Sequence, residues 1–284
     1  MYPAAFDYYR AASVDEAIKL LGQHPDAKLL AGGHSLLPLM KLRLAEPPAL
    51  IDLARVPGLS GIKSSGDRIV IGATTTYHEV LTSDVIKSSL PMLAEAAAIV
   101  GDLQVRNRGT IGGSLAHADP ASDMPAVILA LDGQVKVVGP NGERTIGASD
   151  FFVDLFTTAL QPGEVLTEVS IARPAAGTGM AYEKFAHPAS GYAVVGVAAV
   201  AARDGSTVRV AITGAGPVAK RASAVEQALH GKQLAADAVK AASAHATDGM
   251  DLNGDIFASE QYRAHLAQVL TERALNRAVG NARG

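Results

Sequence analysis

Residues 29–40, LLAGGHSLLPLM, set Gly32 and Gly33, then His34 and Ser35, between one apolar run and the next. Two successive residues without a Cβ let the backbone turn through positive φ or lie close against another group. Ahead of the LLPLM segment, AGGHS exposes consecutive backbone N–H groups with the Ser35 hydroxyl beside them. Such a turn binds a phosphate without needing a lysine. A second pair, Gly112-Gly113 in RNRGTIGGSLAHADPASD, repeats the pattern further on. Each pair alone is accounted for by a sharp turn. Two in one chain, one ending Gly-Gly-x-Ser and the other Gly-Gly-Ser, favour an extended ligand that carries a diphosphate.

Other chemistries find less support. His34 has no second His, Asp or Glu at ligand spacing, so no metal site is assigned. The chain has no cysteine, which excludes disulfides, thiolate nucleophiles and Cys-ligated zinc or iron–sulfur clusters. Gly214, Gly216 and Ala219 in VRVAITGAGPVAKRASA spell G-x-G-x-x-A, superficially a dinucleotide fingerprint. Pro217 lacks an N–H where a pyrophosphate needs one, and no strand ending in an acid follows. These glycines read as a tight strand-to-helix turn. No His, Glu or Ser arrangement resembles a hydrolytic or proton-abstracting site, so no catalytic residue is assigned.

The elements that must position the glycine turns follow from the patterning. Ser13 and Glu16 in SVDEAIKLLG fit a capping box, Ala17, Ile18, Leu20 and Leu21 form an apolar stripe, and Gly22 marks a stop. AKLLA (27–31) reads as a buried strand, LLPLMKLRLA (36–45) as a short helix and ALIDL (49–53) as a strand, together a small βαβ unit. From about residue 58 the signals change. GIKSSGDRIVIGATT is a hairpin, TYHEVLTSDVIKSSLPMLAEAAAIVG two helices with Pro91 in the first turn of the second, and DMPAVILALDG a helix. QVKVVGPNGERTIGA is another hairpin and GEVLTEVSI a further strand, implying a mostly antiparallel sheet with helices beside it. ARPAAGTG (172–179) reads as a linker. Beyond it come three antiparallel strands and three amphipathic helices, an expected separate C-terminal domain from about residue 178.

With 284 residues, 48% hydrophobic, the chain is long enough for two or three compact units. A net charge of −3, with lysine and arginine scattered, gives no field for nucleic acid. No run of 18 apolar residues suggests a transmembrane segment, and MYPAAFDYYRAAS lacks the features of a secretory signal. The expected location is cytoplasmic.

LLAGGHSLLPLMKLRLAEPPALIDLARVPGL and QVRNRGTIGGSLAHADPASDMPA, in this order and spacing, resemble the flavoprotein (medium) subunit of bacterial molybdenum-containing hydroxylases of the carbon monoxide dehydrogenase and xanthine dehydrogenase type. The similarity covers nearly the full length, including YEKF and the three C-terminal helices. It implies an α+β chain: a two-subdomain FAD-binding fold of the vanillyl-alcohol oxidase type over 1–177 (subdomains about 1–57 and 58–177). A C-terminal domain over 178–284, built of a three-stranded antiparallel sheet and a three-helix bundle, completes it.

Residue by residue, the resemblance assigns Ala31, Gly32, Gly33, His34 and Ser35 to the FAD diphosphate loop. Thr110, Ile111, Gly112, Gly113 and Ser114 become a second loop against the diphosphate and ribityl chain, and Asp123 a polar contact to the cofactor. Asp123 is equally suited to capping the DMPAVILALDG helix. Tyr192 aligns with a tyrosine near the flavin ring, with a core strand tyrosine as the alternative. Lys184 of YEKF is a further candidate contact or a surface strand residue. Arg106 and Arg108 flank the second loop in a solvated or subunit-facing role. The resemblance also implies non-covalent FAD fed by two [2Fe–2S] clusters of a small partner subunit, with a large molybdopterin subunit oxidising the substrate, as a dimer of heterotrimers. The alternatives are a scaffolding subunit that no longer holds FAD and a stand-alone flavin reductase of the same fold.

Overall fold

The Ser13 hydroxyl accepts from the Glu16 N–H at 3.1 Å and starts a helix, a cap worth about 1 kcal/mol. The Glu16 carboxylate reaches back to the Ala12 N–H (2.7 Å), one residue earlier than a standard capping box requires. In the computed structural model, which describes residues 1–282, a first strand β1 (Asp7–Arg10) precedes this helix, α1 (Val14–Gln23). Then follow β2 (Lys28–Leu30), α2 (Leu36–Lys41) and β3 (Ala49–Asp52). β3 lies between β1 and β2, parallel to both. Gly22 lies inside α1, not beyond it, because the helix continues until the His24 N–H bonds the Leu20 carbonyl. β1 is mostly exposed and lacks the apolar alternation that marks a half-buried strand in a sequence.

The middle of the chain builds a second sheet. Strands β4 (Ile62–Ser65) and β5 (Arg68–Gly72) form the expected hairpin. The helices α3 (Tyr77–Thr82), α4 (Asp84–Ser89), α5 (Pro91–Ala98), α6 (Leu103–Arg106), α7 (Ile111–His117) and α8 (Asp123–Ala130) follow. Where the pattern predicts two helices before residue 100 there are three, because Ser83 ends α3 and its hydroxyl caps α4. Pro91 opens α5, where its missing N–H costs nothing. Next come β6 (Gln134–Gly139) and β7 (Gly142–Gly147), the short α9 (Ala148–Phe151), a small hairpin of β8 (Phe152–Asp154) and β9 (Thr157–Thr158), and β10 (Val165–Ala172). The five-stranded order is β4-β5-β10-β6-β7, antiparallel at each pairing.

The last part holds β11 (Thr178–Ala186), β12 (Ala193–Ala202), β13 (Val208–Thr213), β14 (Lys220–Arg221), α10 (Ser223–Leu229), α11 (Ala236–Ser243) and α12 (Glu260–Asn281). This sheet has four strands in the order β11-β12-β13-β14, not three. The two-residue β14 makes the glycines at 214–216 a strand-to-strand turn, correcting the strand-to-helix reading. Period-two alternation splits the sheet's side chains between two cores. Ala181, Val197, Ala199, Val210 and Ile212 face the three helices. Met180, Tyr182, Ala198, Val200 and Ala211 join the core of the middle sheet, against α5 and α8. α8 is consequently buried along its whole length.

Candidate functional site

A cleft of about 1160 Å³ opens between the parallel β1–β3 unit and the five-stranded sheet. Its walls carry residues 31–35, four residues of the Thr110–Ser114 loop, Tyr77, Asp123, Phe156 and the 190–192 loop. In the first loop Gly33 has φ +76, a left-handed conformation suited to glycine. A Cβ on Gly32 would stand 2.0 Å from the Arg108 carbonyl oxygen. The loop therefore leans directly on the chain entering the second glycine motif. The N–H groups of Gly32, Gly33, His34 and Ser35 have no hydrogen-bond partner among the described residues. The Ser35 hydroxyl makes no cap bond to α2, and His34 Nδ1 lies 3.1 Å from the Gly32 carbonyl. Successive unpaired N–H groups on a cleft wall form an anion cradle.

The second loop works differently. Thr110 Oγ1 accepts from the Gly113 N–H at 3.1 Å and caps α7. The Ile111 and Gly112 N–H groups bond the Thr75 and Ala73 carbonyls at 3.0 and 2.9 Å. A Cβ on Gly112 would lie 2.6 Å from that of Ala73. The expectation that both Gly-Gly turns present free N–H groups is thus corrected: the first does, whereas the second needs its glycines to press α7 against the end of β5. Ile111 is fully buried and stands behind the wall; Thr110, Gly112, Gly113 and Ser114 line it.

Asp123, at the start of α8, is 5% exposed. Its carboxylate accepts from Tyr182 Oη at 2.6 Å and Lys184 Nζ at 3.0 Å. Burial pushes this carboxyl up, while Lys184 and Tyr182 pull it back. The buried Tyr77 phenol is raised by desolvation against the pull of Ser114. Lys184 is neither a surface residue nor part of the cleft wall; its side chain is 4% exposed behind it. Tyr192 sits in the loop before β12, not within a strand, and is 42% exposed. Burial and Asp119 raise its phenol, and the Ser35 hydroxyl lowers it; Tyr192 and Ser35 both line the cleft. Arg106 donates to the Val100 and Gly101 carbonyls and closes the turn after α5. Sequence reasoning missed Tyr182, although its place two residues before Lys184 puts both on one face of a strand. Among the described residues no group of three His, Cys, Asp or Glu could hold a metal, and no helix is long and apolar enough to cross a membrane.

A parallel unit and an antiparallel sheet facing each other over a long cleft, with an anion cradle on one wall, define a protein that binds an extended phosphate-containing cofactor. Residues 4–174 match the family described as the FAD binding domain in molybdopterin dehydrogenase, and residues 180–278 the CO dehydrogenase flavoprotein C-terminal domain. The chain belongs to this family of FAD-binding medium subunits of the carbon monoxide dehydrogenase and xanthine dehydrogenase type. It is 43% identical over 282 residues to the carbon monoxide dehydrogenase medium chain of Hydrogenophaga pseudoflava, covering 98% of each chain. It is 40% identical to subunit alpha of the 6-hydroxypseudooxynicotine dehydrogenase complex of Paenarthrobacter nicotinovorans, covering 100% of this chain and 97% of that one. A solved structure of the Hydrogenophaga pseudoflava carbon monoxide dehydrogenase, lacking the Mo-pyranopterin moiety of its cofactor, superposes with a TM-score of 0.96 at 44% identity over 100% of both chains. The chain is thus an oxidoreductase subunit whose cofactor is FAD.

Proposed function

We propose that this chain receives electrons from [2Fe–2S] clusters of a small partner subunit and passes them through FAD to an external acceptor, while a large molybdopterin subunit oxidises the substrate. The observation that carries the reading is the cradle of unpaired N–H groups at Gly32–Ser35. These groups, with the Ser35 hydroxyl and the adjoining Ala31 and His34, hold the diphosphate without covalent attachment. Thr110, Gly112, Gly113 and Ser114 form the adjoining stretch of wall, with Ile111 supporting them from behind. Asp123 supplies a polar contact whose oxygens are fixed in direction by Tyr182 and Lys184. Tyr192 covers the ring end. FAD supplies electron uptake and release, singly or in pairs.

Near Tyr192 the surface is apolar and aromatic. Phe185 packs edge-on to Tyr262 (6.1 Å) and His187 to the exposed Phe257 (4.4 Å). Such a patch beside the cofactor mouth suits the cluster subunit. The working unit is a dimer of heterotrimers in the cytoplasm. The chain divides into subdomains of about 1–57 and 58–177 and a C-terminal domain over 178–284, whose last two residues lie outside the described ones.

The test is an anaerobic assay of the purified chain, alone and with both partners. Aldehydes, N-heterocycles and carbon monoxide leave the flavin absorbance of the isolated chain unchanged, and bleaching by the physiological substrate appears only with both partners. Gly33→Val, with a β-branched side chain at φ +76, lowers the flavin-to-protein ratio several-fold. Substrate-dependent bleaching without partners makes the chain a stand-alone reductase; a colourless parent protein makes it a scaffold.

A further inference from the structure

We infer that Lys184 is a positioning residue: its ammonium holds the 187–192 loop, and through it Tyr192, across the mouth of the cleft. An ammonium has three protons, and Nζ of Lys184 has three acceptors within the chain. They are the Ile99 carbonyl at 3.0 Å, Asp123 Oδ2 at 3.0 Å and the Gly191 carbonyl at 2.9 Å. No donor is left over for a ligand. Lys184 therefore acts on the site through what it holds.

What it holds is a hinge. The Gly191 carbonyl and the Tyr192 N–H share one peptide plane, so a bond to that oxygen fixes the plane from which the tyrosine departs. Gly191 has φ +73, and a Cβ there would meet nothing within 4 Å; its own backbone leaves the plane free to rotate. The loop's other hydrogen bonds, the His187 N–H to the Tyr192 carbonyl (2.8 Å), the Gly191 N–H to the His187 carbonyl (2.9 Å) and those among His187, Ala189, Ser190 and Tyr192, join the loop to itself; the Ala193 N–H beyond it bonds the Ala121 carbonyl (3.1 Å), and the His187 ring packs on Phe257. Lys184 is the side-chain tie that carries the Gly191–Tyr192 peptide to α8 and to the end of α5. Asp123, itself fixed by Tyr182, supplies the counter-charge that lets an ammonium stay in so buried a place.

The chain contains no tryptophan, so Tyr192→Trp installs a single indole reporter at the position in question. The full chain carrying Tyr192→Trp is compared with and without Lys184→Met, flavin-free and FAD-loaded. Loss of the tie raises the acrylamide quenching constant of the indole about twofold and lowers its anisotropy, as expected of a locally released segment. Arg277→Met breaks a different tie, to Glu95 and Glu183, and leaves both readouts unchanged. If Lys184→Met alone fails to fold, Lys184→Met with Asp123→Asn removes the unpaired charge and is read instead. Unchanged quenching and anisotropy in a folded variant overturn the inference.

Its second part rests on the proposed place of Tyr192 beside the flavin. In the parent chain Lys184→Met increases bound-flavin fluorescence, and in a Tyr192→Ala background it does not. A moving indole with unchanged flavin fluorescence upholds the positioning role and overturns only the placement of Tyr192 at the ring.

Discussion

His117 ends α7 with its ring 5.1 Å from that of Phe156, half-buried on the cleft wall. Desolvation lowers its pKa below the ordinary 6.5, against a smaller upward pull from Asp119. The unfolded chain then takes up a proton near that value while the folded chain does not. The stability His117 contributes is present above 6.5 and falls as pH drops from there toward the lower folded value. Urea midpoints of the flavin-free protein should decrease from about pH 7.5 to about pH 5.5, and His117→Gln should flatten that slope. Asp123, whose carboxyl is raised, titrates in the opposite sense, so the difference between parent and variant isolates the histidine. At this scale the sequence made the glycines visible but not their separate tasks. Gly32 must be glycine because of the Arg108 carbonyl, and Gly112 because of Ala73. Both neighbours are distant in sequence, and no local pattern encodes them.

Helix α7 carries the second glycine motif, and its first turn depends on Thr110. Thr110→Ala removes the cap from the Gly113 N–H and should cost about 1 kcal/mol. It should also lower flavin retention, because the helix it loosens is a wall of the cleft. Ser259→Ala removes an equivalent cap from α12, none of whose residues lines the cleft, and should cost about the same while leaving the flavin-to-protein ratio unchanged. Urea denaturation and flavin absorbance on the same samples check the pair. Elements with strong local signals, such as the striped α1, the two hairpins and Pro91 at the start of α5, were legible in advance. β14 was not: its two residues are strand only because β13 lies alongside. The break at Ser83 was hidden because apolar spacing runs on across it.

The C-terminal sheet sends alternate side chains into the core of the middle sheet, so residues 58–177 and the strands after them form one packed body. A chain ending at residue 177 would leave α8 and the facing side of α5 bare. It should aggregate or melt without a cooperative transition, judged by size-exclusion chromatography and circular dichroism. A monomeric piece with a sharp melt would show that the shared core is dispensable. The linker composition at 172–179 marks a change of sheet, but it conceals how closely the two sides pack; Arg173 even ties it back to Ser64 and Ser89.

The parallel unit and the antiparallel sheet share no strand, and the cleft lies between them. A molecule that touches both walls adds its own binding free energy to their cohesion. In a cell, flavin supply would then govern the lifetime of this subunit as well as its colour. Chains made faster than they are filled would be the first found by proteases, and riboflavin starvation would register as missing protein before it registered as inactive enzyme.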